Sequence, residues 1–188
     1  VADLMDAWGL EAIDVALEIE RRNAESPIGA VGFTMSEDNL QTILAHPLVM
    51  VGTDAHLEVF GRFATHPRNY GSYPRVLGKY VREERIMSLG EAIAKMTSFP
   101  ARRYALRDRG WLLPGYLADL VVFDLDRVRD RATNLWPHTF PFDNVPHASP
   151  EGIDWVVVNG VPVLEDGEHT GELPGRILTR PRRARQNV

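Results

Sequence analysis

The stretch IGAVGFTMSEDNLQTILAHPLVMVGTD, residues 28–54, decides how this chain is expected to fold. Residues 28–34 (IGAVGFT) are apolar and small, which suits a buried strand. Ser36 is placed as an N-cap, with Glu37 and Asp38 favourably set in the first turn of a helix. Leu40, Ile43 and Leu44 give that helix an apolar face, and His46-Pro47 ends it. Residues 48–52 (LVMVG) form a second continuous apolar run, too short for a helix and too apolar for a one-sided sheet. Strand, short helix, strand is a βαβ unit, and its strands read as parallel and buried on both faces. Two such strands do not make a covered sheet, and a (β/α)8 barrel needs eight over about 250 residues. Most of the sheet is therefore expected to come from outside these residues.

Upstream, residues 3–25 read as one helix with Leu10, Ile13 and Leu17 on a shared face, stopped by Ser26-Pro27. Downstream, residues 55–75 are rich in Gly, Pro and aromatic side chains and read as a long loop, a kind often functional. Residues 76–85 are expected to be helical. Ser88 with Glu91 three residues on is a capping box opening another helix, with Leu89, Ile93 and Met96 on its buried face and Pro100 interrupting it. Residues 101–109 read as a further short helical piece.

The pattern changes near Gly110. Pro114-Gly115 signals a turn and residues 118–123 (ADLVVF) a strand, while 131–152 should be irregular. Residues 153–158, Asn159-Gly160 and residues 161–164 spell a hairpin with a type I′ turn, and Asp166-Gly167 marks another turn. The chain thus divides into an α/β part, residues 1–109, an all-β part, residues 110–180, and a basic tail, residues 181–188.

Composition excludes several function classes. With 188 residues, 44% of them hydrophobic, the chain can bury a core. A net charge of −5 argues against general nucleic-acid binding and against a basic membrane surface. No apolar run reaches the roughly 18 residues of a membrane span. No Cys is present, which excludes thiol nucleophiles and thiolate zinc sites within the chain. The six His form no HxH or HExxH motif, no Ser sits in a GxSxG elbow, and neither GxGxxG nor a P-loop occurs. His46, His138, His147 and His169 read as cap or surface residues. No metal-ligand set is expected inside the chain.

The chemistry-bearing candidates cluster after residue 52. Asp54 follows the second apolar run, at the strand end where α/β folds place active sites, between an apolar interior and a solvent cleft. His56, Arg62, His66, Arg68 and Arg75 follow on the loop. The HPR run at 66–68 sets a guanidinium near Asp54, and Arg is suited to bidentate binding of a substrate carboxylate. The bland alternatives are a turn Asp and arginines paired with surface acids.

VGTDAH at 51–56, HPRNYGSYPRVLGKYVREE at 66–84, SLGEAIAKMTSFPARRYAL at 88–106, PGYLADLVVFD at 114–124 and GIDWVVVNGVPVLEDGEHTGELPGRIL at 152–178 occur in one order. Together they resemble the C-terminal third of N-acyl-D-amino-acid deacylases, the D-aminoacylases of the amidohydrolase superfamily. PGYLADLVVFD is shared across the superfamily, whereas the second and last stretches are more specific to the deacylases. The resemblance implies the last part of a zinc-bearing TIM barrel, with residues 28–34 its seventh strand and 48–53 its eighth, plus the C-terminal strands of a small β-sandwich. It implies that Asp54 is the general base on the metal-bound water and then delivers the proton to the leaving amine. It implies that Arg68 holds the α-carboxylate of an N-acyl-D-amino acid, with His66 and Tyr70 shaping the loop. The zinc ligands would lie on earlier strands in a missing N-terminal part of the same enzyme, so the chain alone is expected to be inactive. A cytoplasmic location is expected, and neither nucleic acid nor membrane as partner. The segment AHLEVFGRFAT at 55–65 is longer than the simplest family pattern. The alternatives are an amidohydrolase acting on cyclic amides, in which the HPR arginine has no evident task, and a non-catalytic interaction domain.

Overall fold

A computed structural model describes residues 1–25, 34–56, 66–132 and 150–179, in two compact units, Val1–Thr34 and Met35–Val188. Residues 28–33 of the strand expected over 28–34 and the basic tail lie outside the described residues, as do Arg62, His138 and His147.

The first unit holds α1 (Ala2–Trp8) and α2 (Ala12–Arg22) where one helix was expected. Gly9 causes the break. It takes a left-handed conformation at φ 63°, and its N–H returns to the Met5 carbonyl at 2.8 Å, which closes α1. Glu18 ties the last turn of α2 to Arg21 and Arg22, and these guanidinium groups lower its pKa to about 2. Val15 is the fully buried position, whereas Ile13 and Leu17 are exposed.

The second unit opens with α3 (Glu37–Ala45), capped as expected by Ser36, whose Oγ accepts from the Asn39 N–H. The apolar run after it departs from the expectation. Residues 48–53 join no ladder among the described residues, and Leu48 is 85% exposed. All described strand pairs are antiparallel. A parallel strand needs a neighbour to bond to, and the partner expected for this one lies outside the described residues. In place of a ladder bond, the Val51 N–H donates to the Lys95 carbonyl at 3.2 Å.

The long loop expected over 55–75 is helical in its last part. Helix α4 (Arg68–Arg75) runs directly into a π-helix, Val76–Glu83. Pro67 starts the helix where no N–H is needed. Pro74, inside it, has no N–H for the α-helical ladder, and the wider π-turns follow at once. Helix α5 (Leu89–Met96) begins with the expected Ser88–Glu91 capping box. It breaks at Thr97 rather than at Pro100, and Pro100 sits near the start of α6 (Ser98–Tyr104), where proline fits.

Leu44, Val76, Tyr80, Val81, Met87 and Ala92 form the core of this unit, with Val51, Ile86, Leu89, Met96 and Leu125 packed on it. Beyond it, β1 (Leu120–Phe123), β2 (Ile153–Val158), β3 (Val161–Glu165) and β4 (Glu168–His169) form an antiparallel sheet in sequence order. Asn159 and Gly160, at φ 51° and 81°, make the expected I′ turn, and Asp166-Gly167 repeats the geometry.

One arginine ties the segment after β1 to the π-helix. Arg82 Nη1 donates to the carbonyls of Leu125, Asp126 and Val128 at 3.0, 3.2 and 2.7 Å. The approach is close because Gly78 has no side chain: a Cβ there would stand 2.6 Å from the Val128 oxygen. Gly78→Ala is therefore expected to lower stability by about 1–3 kcal/mol, as overpacking does. Urea denaturation of the purified protein checks this, and an unchanged midpoint would refute the contact.

Candidate active site

Asp54 lies three residues beyond Val51 and takes a left-handed conformation at φ 49°. Asp tolerates this region better than most side chains. The turn is local: Thr53 Oγ1 accepts from the Ala55 N–H at 3.3 Å. Across from it, α4 begins with the His66-Pro67-Arg68 run. Arg68 Nη2 stands 3.2 Å from Asp54 Oδ2, so the structure brings together the two residues that the sequence singled out. The pair is open to solvent: the Asp54 side chain is 80% exposed and that of Arg68 35%. The apolar boundary expected around Asp54 is thus not built by the described residues, because the run before it lies in no sheet. Exposed ion pairs contribute about 0–1 kcal/mol, so this one does not hold the segments in place.

Hydrogen bonds to the backbone do more. Asn69 Oδ1 accepts from the His56 N–H at 2.9 Å, joining the turn after Asp54 to the first turn of α4. His66 Nδ1 accepts from the Arg68 N–H at 3.1 Å, which caps α4 and requires an unprotonated Nδ1. Partial desolvation lowers the His66 pKa from its ordinary 6.5, the Arg68 cation lowers it further, and the Asp54 carboxylate opposes both. Arg68 Nε is buried and makes no hydrogen bond, which leaves the outer nitrogens as the working donors. Arg75, grouped with these residues from sequence, points elsewhere, to Asp130 at 3.7 Å. Gly71 permits the approach of that carboxylate to α4.

Two residues that sequence reading passed over belong to this arrangement. Asn69 had no signal beyond its place after the HPR run. Lys95 had one: it falls three residues after Ala92 on the buried face of α5, where a charge is out of pattern. Lys95 is only 3% exposed. Its Nζ donates to the His46 carbonyl and, at 3.0 Å, to the Val49 carbonyl.

The described donors do not make a metal site. Among the described residues no three His, Cys, Asp or Glu side chains are grouped to hold a metal ion. Asp54 faces a guanidinium, which repels a cation. Nor is any described helix long and apolar enough to cross a membrane.

The family model described as "Amidohydrolase family" matches residues 7–164. An N-acyl-D-glutamate deacylase from Alcaligenes xylosoxydans xylosoxydans is 40% identical over 185 residues, covering 96% of this chain and 33% of that protein. A D-aminoacylase from the same organism is 40% identical over 174 residues, covering 92% of this chain and 32% of that protein. Among solved structures, one similar to this chain is the N-acyl-D-glutamate deacylase of Bordetella bronchiseptica, complexed with zinc and a phosphonate inhibitor that mimics the tetrahedral intermediate. It aligns with a TM-score of 0.67 and 40% identity over 86% of this chain and 30% of that one. The chain spans about a third of the length of the curated relatives it matches.

The His66 geometry carries a pH prediction. Its folded pKa lies below 6.5, so below that value the unfolded chain binds a proton that the folded chain resists. The stability it contributes is complete above pH 6.5 and is lost as the pH falls. An NMR titration of His66 is expected to give a midpoint below 6.5, and a midpoint above it would rule out the neutral cap.

Proposed function

The chain belongs to the amidohydrolase family, and on that premise we propose that the protein carrying it hydrolyses the amide bond of N-acyl-D-amino acids, releasing a D-amino acid and a carboxylate. The observation that carries the reading is the 3.2 Å approach of Arg68 to Asp54 from two separate segments. In such a substrate the α-carboxylate and the amide nitrogen share one carbon. A guanidinium that holds the first sets the second within a few ångströms of Asp54. The names of the relatives agree with this substrate class.

In this reading Arg68 binds and orients the substrate through a charge-assisted, two-point contact with its carboxylate. Asp54 is the proton carrier: its carboxylate takes a proton from the attacking water and returns it to the leaving nitrogen. His66 and Asn69 orient the start of α4, so that Arg68 presents its outer nitrogens. The protein's cofactor is zinc, as in the zinc-bound relative. The described donors do not fit a metal by themselves, and in this reading the zinc ligands belong to the part of the protein outside this chain.

The same reading assigns residues 1–109 to the last part of a (β/α)8 barrel, with 28–34 and 48–53 its seventh and eighth strands. It assigns residues 110–180 to the C-terminal share of a β-sandwich. Asp54 then sits at the C-terminal end of a barrel strand, where barrel enzymes carry their catalytic groups.

The test is an assay of the complete protein on N-acetyl-D-amino acids, with N-acetyl-D-amino acid amides and hydantoins for comparison. Asp54→Asn is expected to lower kcat by about 10²–10⁴-fold, the usual contribution of a positioned acid–base group. Arg68→Ala is expected to raise KM for free-carboxylate substrates by the equivalent of about 1.5–3 kcal/mol and to leave the amides nearly unaffected. Native kcat in Asp54→Asn, an unmoved KM in Arg68→Ala, or a preference for hydantoins would each refute the corresponding assignment.

A further inference from the structure

We propose that Lys95 is a positioning residue for Asp54: a buried cation that holds the backbone leading to the carboxylate in the one arrangement that brings it to Arg68. The role of Asp54 rests on the function proposed above, whereas the tether rests on geometry alone.

The segment from His46 to Asp54 leads from the end of α3 to the carboxylate. Beside local turn bonds, its backbone contacts to α5 converge on one side chain and that residue's own carbonyl. Lys95 Nζ binds the carbonyls of His46 and Val49, and the Lys95 carbonyl accepts from the Val51 N–H. Backbone groups at positions 46, 49 and 51 are thereby referred to a single point on α5, and Asp54 follows three residues later. The point is rigid. Helix α5 is fastened at its start by the capping box and in its middle by Ala92, which is fully buried in the core.

A cation suits the place. His46 is the C-cap of α3, where carbonyls left without helical partners carry negative potential. An apolar side chain of similar volume fills such a space without the cost of burying a charge. What the ammonium adds is direction, since it fixes where two carbonyls point and so how the chain leaves α3. Arg68 is referred to the same core, because α4 continues into the π-helix that supplies Val76, Tyr80 and Val81. The tether therefore sets the separation of the two site residues, although Lys95 touches neither.

The experiment compares Lys95→Met with wild type in the complete protein by hydrogen exchange and by kinetics. Exchange over residues 46–56 is expected to rise at least tenfold, while residues 89–96 keep their protection. The kcat on N-acetyl-D-amino acids is expected to fall 10- to 100-fold with KM within twofold, since Arg68 and its carboxylate site stay in place. Lys95→Gln, which keeps a donor without the charge, is expected to recover part of both. Ile93→Val, a stability control on the same helix, should leave kcat and exchange over 46–56 unchanged. If Lys95→Met does not fold, Lys95→Gln carries the same readouts. Unchanged exchange overturns the tether. Raised exchange with native kcat overturns its link to Asp54. A wild-type protein inactive on every N-acyl-D-amino acid overturns the proposed function instead, and the exchange result still decides the tether.

Discussion

Burial of Ala92 among Leu44, Val76, Tyr80, Val81 and Met87 is the constraint on which the rest of the second unit depends. These side chains come from α3, the π-helix, the turn before α5 and α5 itself. Fully buried residues leave no room for sliding, because interiors pack at crystal-like density. Once they are seated, the ends of three elements are placed. The end of α3 starts the backbone toward Asp54, the π-helix sets α4 and Arg68, and α5 presents Lys95. Arg82 then draws the segment after β1 against the same π-helix, with Gly78 permitting the close approach.

Local signals in the sequence were read correctly where the controlling interaction is itself local. The Ser36 cap, the Ser88–Glu91 capping box and the Asn159-Gly160 turn each need only three or four residues and a fixed backbone geometry. Other readings depend on distant partners. LVMVG has the composition of a two-sided strand, and the neighbour it is expected to bond lies outside the described residues. The Gly- and Pro-rich run before Val76 looked like a loop, yet Pro67 and Pro74 sit where a helix start and a change to π-turns tolerate a missing N–H. Gly9 split the first helix because only one residue need turn left-handed to end it.

For the site, Asp54 and Arg68 were legible as residue types in a suggestive order, and their proximity was implied by the HPR run. Lys95 was not legible as a contact. A lysine on an apolar helical stripe is visible in the sequence, but which carbonyls it meets, at 46 and 49 positions away, is decided by how α5 lies against the end of α3. Long-range pairing of a charge with backbone groups leaves no spacing pattern.

The two charged contacts of the site have opposite physical characters, and the contrast fits the work proposed for each. The Asp54–Arg68 pair is open to water on the carboxylate side, where ion pairs are weak and partners exchange at little cost. A ligand carboxylate can replace Asp54 on that guanidinium without opening the core. The Lys95 ammonium is the reverse case. It is shut away from water, and an ammonium that lost these carbonyls would stay buried without partners, which costs more than the bonds themselves are worth. Exchangeable charge stands where a ligand must arrive, and non-exchangeable charge where the backbone must not move. An arrangement with the burial reversed would bind its substrate slowly and hold its carboxylate loosely, because desolvation would then oppose the first task and solvent would compete in the second.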